Sequence, residues 1–308
     1  MIHKTLTLET PLILDGGLAT ELENLGADLN DALWSARILD TAPELIAQAH
    51  RHYFESGAQV ATTATYQATP EGFTKQGYSP QRSLTLINRA VKLAHEQRLL
   101  QPNASELVVA ASIGPYGAFL ADGSEYRGHY GLDISSLMKF HEARWRILMD
   151  SDADCFACET IPCVEEALAL TELARHYPKP YWISFSCRSA SALSDGSDIE
   201  SAVQQVLASE FPPIAIGVNC SAPRYIAPLI KRIHKQLQAS RASKVKLLVY
   251  PNSGEQYDAT EKCWHGQADI ERFVDAAVGW VAAGADWVGG CCRTTPSHIR
   301  SLAAELEK

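Results

Sequence analysis

The sequence predicts an α/β chain folded as a (β/α)8 TIM barrel in a single domain, and three observations carry that prediction. Eight apolar, β-branched-rich runs punctuate the chain at Leu12–Leu14, Gln59–Thr65, Leu107–Ile113, Asp154–Cys158, Tyr181–Ser186, Ile214–Val218, Lys246–Tyr250 and Asp286–Gly289. Between most of them, apolar residues recur at helical spacing, over Pro43–Ser56, Pro80–Leu100, Ser135–Asp150, Val164–His176, Ile199–Glu210, Tyr225–Gln238 and Ala268–Ala283, and a last helix over Pro296–Glu305 closes the chain. Strict alternation of strand and helix means a parallel sheet with helical crossovers. Eight such units in 308 residues suit a closed barrel better than an open doubly wound sheet.

Each junction supports this order. Ser56-Gly57-Ala58-Gln59-Val60, Ser151-Asp152-Ala153-Asp154-Cys155 and Ala283-Gly284-Ala285-Asp286-Trp287 form a weak internal repeat in which a helix ends and a strand begins. Glycine after a helix is ordinary C-cap chemistry. No linker rich in Pro, Gly or Ser divides the chain, so 1–308 is read as one domain.

Composition narrows the function. Hydrophobic residues make up 46%, enough for a sizeable core, and the formal charge is −9. An acidic chain with pI near 5.6 lacks the basic face that nucleic acid or an anionic membrane would require. No apolar run approaches the roughly 20 residues of a membrane span. The opening MIHKTLTLETPLILDGG has no continuous apolar core followed by a small-residue cleavage site, which predicts a cytoplasmic protein. Eight cysteines in a reducing compartment point to packing, metal ligation or chemistry rather than to structural disulfides. No arm or exposed apolar stretch suggests an interface, so a monomer is expected.

In such a barrel the working residues lie where strands end at the C-terminal face. Here those ends read Asp15-Gly16-Gly17, Thr65-Tyr66-Gln67, Gly114-Pro115-Tyr116-Gly117, Cys158-Glu159-Thr160, Ser186-Cys187-Arg188, Asn219-Cys220, Pro251-Asn252-Ser253-Gly254 and Gly290-Cys291-Cys292. Three thiols meet on this rim, Cys220 after the sixth strand and Cys291 with Cys292 after the eighth. Three thiolates and one open position make a sound catalytic zinc arrangement. The separation of about 70 residues is no local finger spacing, so pattern alone leaves a metal set and buried unreactive thiols both open. Cys155 and Cys158 mimic a C-x-x-C pair, but residues i and i+3 of a strand point to opposite faces. They and Cys163 are read as packing residues, Cys187 has no thiol or histidine partner in its own loop, and Cys263 is an ordinary loop thiol. No His-Glu-x-x-His helix or Gly-x-x-x-x-Gly-Lys loop occurs.

At this point several motifs converge: Asp15-Gly16-Gly17, Gly217-Val218-Asn219-Cys220 and Gly289-Gly290-Cys291-Cys292. To these are added Ile113-Gly114-Pro115-Tyr116-Gly117-Ala118 through Ala121-Asp122-Gly123-Ser124-Glu125-Tyr126-Arg127-Gly128, and Tyr250-Pro251-Asn252-Ser253-Gly254-Glu255. Together they resemble the homocysteine S-methyltransferases over essentially the whole chain, most closely the branch using S-methylmethionine or S-adenosylmethionine. The resemblance implies one Zn2+ per chain held by Cys220, Cys291 and Cys292, with the sulfur of homocysteine in the fourth position. It implies that Glu159 receives the substrate ammonium and that Asp15-Gly16-Gly17 receives the carboxylate region. The chain lacks the long C-terminal extension of betaine-using relatives and the extra modules of cobalamin-dependent ones, which favours a sulfonium methyl donor, with methionine as product.

The residue types suit that reaction. A free thiol is only a few per cent thiolate at neutral pH, and binding to zinc deprotonates it. Three thiolates on Zn2+ leave a formal charge of −1, which attracts a sulfonium cation. A carboxylate after a buried strand is costly without a partner, so Glu159 needs either an ammonium ligand or an arginine. The glycines beside Asp15 offer backbone N–H groups to a carboxylate, or else form a plain turn. Trp34 is either part of an aromatic wall against the sulfonium or a core residue. Without homocysteine the fourth metal position falls to Asn252, to water or to a side chain near Tyr66. Two rival readings stay open: a phosphate-binding barrel using the glycines before Cys291, and a zinc-buffering or redox-sensing protein of the same fold that transfers no methyl group.

Overall fold

In the computed structural model, which describes residues 3–8, 11–29, 35–240, 244–258, 263–265 and 269–308, the eight expected strands are present. They are β1 (Leu12–Ile13), β2 (Val60–Thr62), β3 (Val108–Ile113), β4 (Cys155–Ile161), β5 (Tyr181–Phe185), β6 (Ala215–Asn219), β7 (Lys246–Tyr250) and, after a hairpin, β10 (Trp287–Val288). The hairpin pairs β8 (Gln256–Asp258) with β9 (Cys263–His265) antiparallel, and the sequence pattern did not signal it. All barrel pairs are parallel, in the order β1-β10-β7-β6-β5-β4-β3-β2. A bridge between Leu14 and Val60, with the Asp15 N–H donating to the Val60 carbonyl at 3.0 Å, joins the two ends and closes the barrel. Among the described residues no helix is long and apolar enough to cross a membrane.

Period-two alternation sorts each strand into two cores. One residue set faces the helices. The other fills the barrel: Leu12, Leu14, Val60, Val108, Ala110, Cys155, Ala157, Trp182, Ala215, Leu248, Tyr250 and Trp287. Small residues on β3, β4 and β6 make room for two indoles, Trp182 and Trp287, which meet edge-to-face at 5.8 Å. Trp182 donates its Nε1–H to the Tyr250 hydroxyl at 3.0 Å, so these two polar atoms of the filling satisfy each other. Leu6, on a short 3-10 turn over Lys4–Thr7, packs into the same inner cluster, and Thr5 anchors that turn to the Glu106 carbonyl at 2.8 Å. The barrel is thus plugged below and floored by aromatics, leaving its upper mouth for the site. Cys155 belongs to the inner cluster and Cys158 to the outer one, the opposite-face placement expected of them.

Two departures from the expected boundaries matter. The strands β1, β2 and β10 are shorter than their apolar runs, because the chain leaves the sheet early to build loops over the mouth. The strand β4 is longer, running through Glu159 and Thr160 to Ile161, with a register shift against β5 between Cys158 and Ile161. A bulge of this kind re-aims the side chains it carries and is over-represented beside functional sites.

Strands β6 and β7 approach closely at Gly217. A Cβ added at Gly217 would lie 1.7 Å from the Leu248 carbonyl oxygen, where only backbone movement could relieve it. Gly217→Ala is therefore expected to destabilise the fold by about 3 kcal/mol or more. The denaturant midpoint with a matched slope checks this; an unchanged midpoint would mean that β6 and β7 separate freely.

Candidate metal and amino-acid site

The loops after β6 and β10 bring three thiols together. The Sγ atoms of Cys220, Cys291 and Cys292 lie within 4.8 Å of one another, and Cys220 is 3.4 Å from Cys292. Among the described residues no other three His, Cys, Asp or Glu side chains gather their ligand atoms so closely. A tetrahedral ion with Zn–S bonds of about 2.3 Å separates its sulfurs by about 3.8 Å, so this trio fits such an ion with little movement.

Local backbone geometry aims these thiols. Cys220 has φ +45° and Arg293 φ +66°, a region that non-glycine residues enter only at a cost of about 1–3 kcal/mol each. At Cys220 the strand stops and the side chain swings over the mouth, with its N–H held by the Tyr250 carbonyl at 3.2 Å. The run from Cys291 to Thr294 is a tight turn: Thr294 donates both N–H (3.1 Å) and Oγ1–H (2.6 Å) to the Cys291 carbonyl. The Cys291 N–H donates to Pro251 and the Ser253 N–H to Cys292, so the β7 loop braces the pair.

Glu159 faces this cluster from β4. It is 8% exposed, and its Oε1 accepts a short hydrogen bond from Ser112 Oγ. Among the described residues no lysine, arginine or histidine forms an ion pair with it. Burial pushes its carboxyl up to about 7; hydrogen bonds from Ser112 and Tyr250 pull the other way, and the Cys292 thiol adds to the rise. Of the two partners that sequence allowed for it, the arginine is not there. The neighbouring Thr160 has φ +61° and is clamped by Asn219, whose Oδ1 accepts from Thr160 N–H at 2.7 Å while its Nδ2 donates to Thr160 Oγ1 at 2.8 Å.

Asp15 and Gly17 are bonded within the fold, and Gly16 packs tightly beside them. The Asp15 carboxylate accepts from the Thr62 N–H at 2.7 Å and from the Thr62 hydroxyl at 3.0 Å, tying β1 to β2. The Gly17 N–H is taken by Thr294, at 3.0 Å to its carbonyl and 3.2 Å to its hydroxyl. A Cβ at Gly16 would lie 2.8 Å from the Tyr53 ring, and one at Gly17 2.7 Å from the Cys291 carbonyl. The glycines thus let the first loop press against the metal-side turn. Only the Gly16 N–H remains without an acceptor among the described residues. Gly289 and Gly290 are likewise used internally, their N–H groups donating to Val249 and Asp15, which leaves the phosphate-binding alternative without a donor nest.

The remaining candidates are accounted for as follows. Tyr66 is on the rim; burial and the facing Glu125 and Cys220 raise its hydroxyl well above the ordinary value. Its carbonyl, with that of Gly114, is gripped by the buried Arg144 at 2.9 and 2.6 Å. Asn252 has a buried Oδ1 with no hydrogen-bond partner among the described residues. Trp34 lies outside the described residues, as does the side chain of Cys263. Cys155, Cys158, Cys163 and Cys187 are buried and apart from the cluster.

Two residues at the mouth were not singled out from sequence. The Tyr126 hydroxyl is 3.1 Å from Cys220 Sγ, and Glu125 beside it is 4% exposed. The signal for both was the Ala121–Gly128 segment, which follows a strand end on the functional rim.

The sequence profile of the homocysteine S-methyltransferases matches residues 12–306. The chain belongs to the homocysteine S-methyltransferase family. Over 305 residues it is 44% identical to the homocysteine S-methyltransferase YbgG of Bacillus subtilis, covering 95% of this chain and 93% of that one. It is 41% identical to a selenocysteine Se-methyltransferase of Brassica oleracea var. italica, over 96% of this chain and 88% of the relative. The metallated form of the homocysteine methyltransferase MmuM from Escherichia coli superposes with a TM-score of 0.84 at 41% identity, covering 96% of each chain. Among members of this family, a three-cysteine cluster in a metal-fitting arrangement agrees with a relative solved with metal.

The raised carboxyl of Glu159 has a consequence for stability. Folded, it keeps its proton up to about pH 7; unfolded, only to about 4.5. The stabilisation of the folded state that comes with the proton is therefore complete below pH 4.5 and lost as pH rises through 7. Without substrate, Glu159→Gln is expected to be more stable than the parent at pH 8, by on the order of 3 kcal/mol at most, and equal to it near pH 4.5. Denaturation at the two pH values checks this, and equal stability at pH 8 would show that the carboxylate already has a partner.

Proposed function

We propose that this chain is a zinc-dependent homocysteine S-methyltransferase that moves a methyl group from a sulfonium donor, S-methylmethionine or S-adenosylmethionine, to the sulfur of homocysteine, forming methionine. The observation that carries this reading is a buried, unpaired carboxylate, Glu159, facing three convergent thiols in one barrel mouth. Cys220, Cys291 and Cys292 would hold one zinc per chain. When bound there, the metal supplies an open position and lowers the pKa of a thiol that enters it.

The chain's own residues do the rest. Glu159 receives the ammonium of homocysteine, and charge pairing would keep it ionised at neutral pH. The Gly16 N–H is the one donor of the first turn still open to the carboxylate. Tyr126 places a hydroxyl against Cys220 and can share a proton with its sulfur. In the reaction the thiol proton leaves to solvent, the homocysteine sulfur forms the new S–C bond, and the donor's S–C pair stays on its sulfur. A cation is consumed beside anionic groups, so a dry mouth helps bring the partners together. The zinc-buffering or redox-sensing alternative is not favoured, because it gives Glu159 no partner.

The primary test is methionine formation from homocysteine with each donor, with and without a chelator. S-methylmethionine is expected to serve at least as well as S-adenosylmethionine, betaine to be inert, and chelation to abolish turnover. Purified protein should carry about one zinc; Cys291→Ser should lose most of it and Cys155→Ser none. Full zinc retention in Cys291→Ser would overturn the ligand set. Glu159→Gln should weaken homocysteine binding roughly tenfold to a hundredfold at constant zinc.

A further inference from the structure

Glu159 accounts for the ammonium of homocysteine, yet the proposed methyl donor brings a sulfonium and a second ammonium into the same mouth. We infer that Glu125 is the receptor for a positive charge of the methyl donor, at the mouth beside the thiol cluster. The inference rests on the sulfonium-donor reading above and names the residue that recognises that donor.

Glu125 occupies a 3-10 turn over Ser124–Tyr126, in the loop after β3. It is 4% exposed, and its Oε2 is buried without a hydrogen-bond partner among the described residues. The turn is fixed from two sides. Ser186 at the end of β5 donates its hydroxyl to the Glu125 carbonyl at 3.0 Å, and Gly117 lies so close that a Cβ there would be 2.3 Å from Glu125 N. The adjacent Tyr126 hydroxyl touches Cys220 Sγ, so the carboxylate is held one residue from the reacting centre.

The nearby cation does not neutralise it. Arg127 turns outward to Asp122, which accepts at 3.1 Å through its carbonyl and lies 3.6 Å away through its carboxylate, with the arginine side chain 62% exposed. The groups that raise Glu125, after burial itself, are Asp122 and Cys292, and its carboxyl stands at about 7. Nor does it belong to the metal cluster, whose close ligand atoms are the three sulfurs alone. A buried carboxylate with an open oxygen, flanked by Tyr66 and Tyr126, suits a cation bearing methyl groups, which aromatic faces also attract.

The test uses zinc-loaded full-length protein. Donor affinity is measured by calorimetry with S-methylmethionine in the absence of homocysteine, beside the separate KM values of both substrates. In Glu125→Gln, S-methylmethionine affinity should fall roughly tenfold to a hundredfold, with zinc content and homocysteine KM unchanged. Methionine, which keeps the ammonium and lacks the sulfonium, identifies the charge: a parallel loss assigns it to the ammonium, an unaltered affinity to the sulfonium. Glu125→Asp, which keeps the charge, should retain more affinity than Glu125→Gln. Equal losses in the two variants would make Glu125 a packing residue and overturn the inference, as would unaltered donor affinity in Glu125→Gln. Failure of the parent protein to turn over any sulfonium would instead overturn the functional reading on which it rests.

Discussion

The site depends on one side-chain amide that reaches across a strand. Asn219 ends β6 and Thr160 lies in the bulge of β4, with β5 between them in the sheet, yet their groups exchange two hydrogen bonds of 2.7 and 2.8 Å. Each partner adjoins a residue of the site, Cys220 on one side and Glu159 on the other. Both Thr160 and Cys220 have left-handed backbone, a strain that persists only where surroundings over-determine it. The amide satisfies the Thr160 N–H that the bulge takes out of the ladder. Ser221 extends the brace by donating to the Asn219 carbonyl and accepting from the Cys187 N–H, both at 2.8 Å. Thiol and carboxylate are thereby positioned relative to each other by one rigid connection.

Around this brace the mouth is rich in acceptors. Asp15, Glu125 and Glu159 are all buried, and desolvation raises each of their carboxyls. One layer out, buried polar groups are tied mainly to one another, although Glu166 Oε2 and Arg144 Nε lack a hydrogen-bond partner among the described residues. There His141 pairs with Glu166 at 2.8 Å, and Arg144 spends its guanidinium on the Tyr66 and Gly114 carbonyls. That outer set shapes loops; the inner set is left wanting positive charge. A site that would gather a metal ion and cationic groups gains from this, and the folded state bears the desolvation cost when it is empty of them.

Much of this was legible in the sequence, for identifiable reasons. Alternating apolar runs located eight strands, and the barrel rule put Cys220, Cys291, Cys292, Glu159 and Tyr66 on one rim. The close approach of Gly16 and Gly17 to Thr294 and Cys291 was not legible, because it depends on how the last loop docks on the first. The bulge at Glu159 left no mark, since the polar pair Glu159-Thr160 reads as the start of a loop after a strand that ends at Cys158. Glu125 and Tyr126 escaped for a related reason: their loop folds back over the mouth through Ser186 and Gly117, contacts that no local spacing records. The β8–β9 hairpin likewise lacks the clean alternation that would announce it.

The closure of the sheet has a bearing on how the protein is made. β10 sits between β1 and β7, and the first turn is sealed onto Thr294, so the first and last strands of the sheet are neighbours in the finished barrel. Cys220 emerges from the ribosome well before Cys291 and Cys292. A nascent chain therefore displays a lone thiol and an unpaired carboxylate beside an open gap in its sheet. Capture of an ion by the three thiols would be deferred to the last act of folding, and until then the exposed edges of β1 and β7 would be open to wrong pairing.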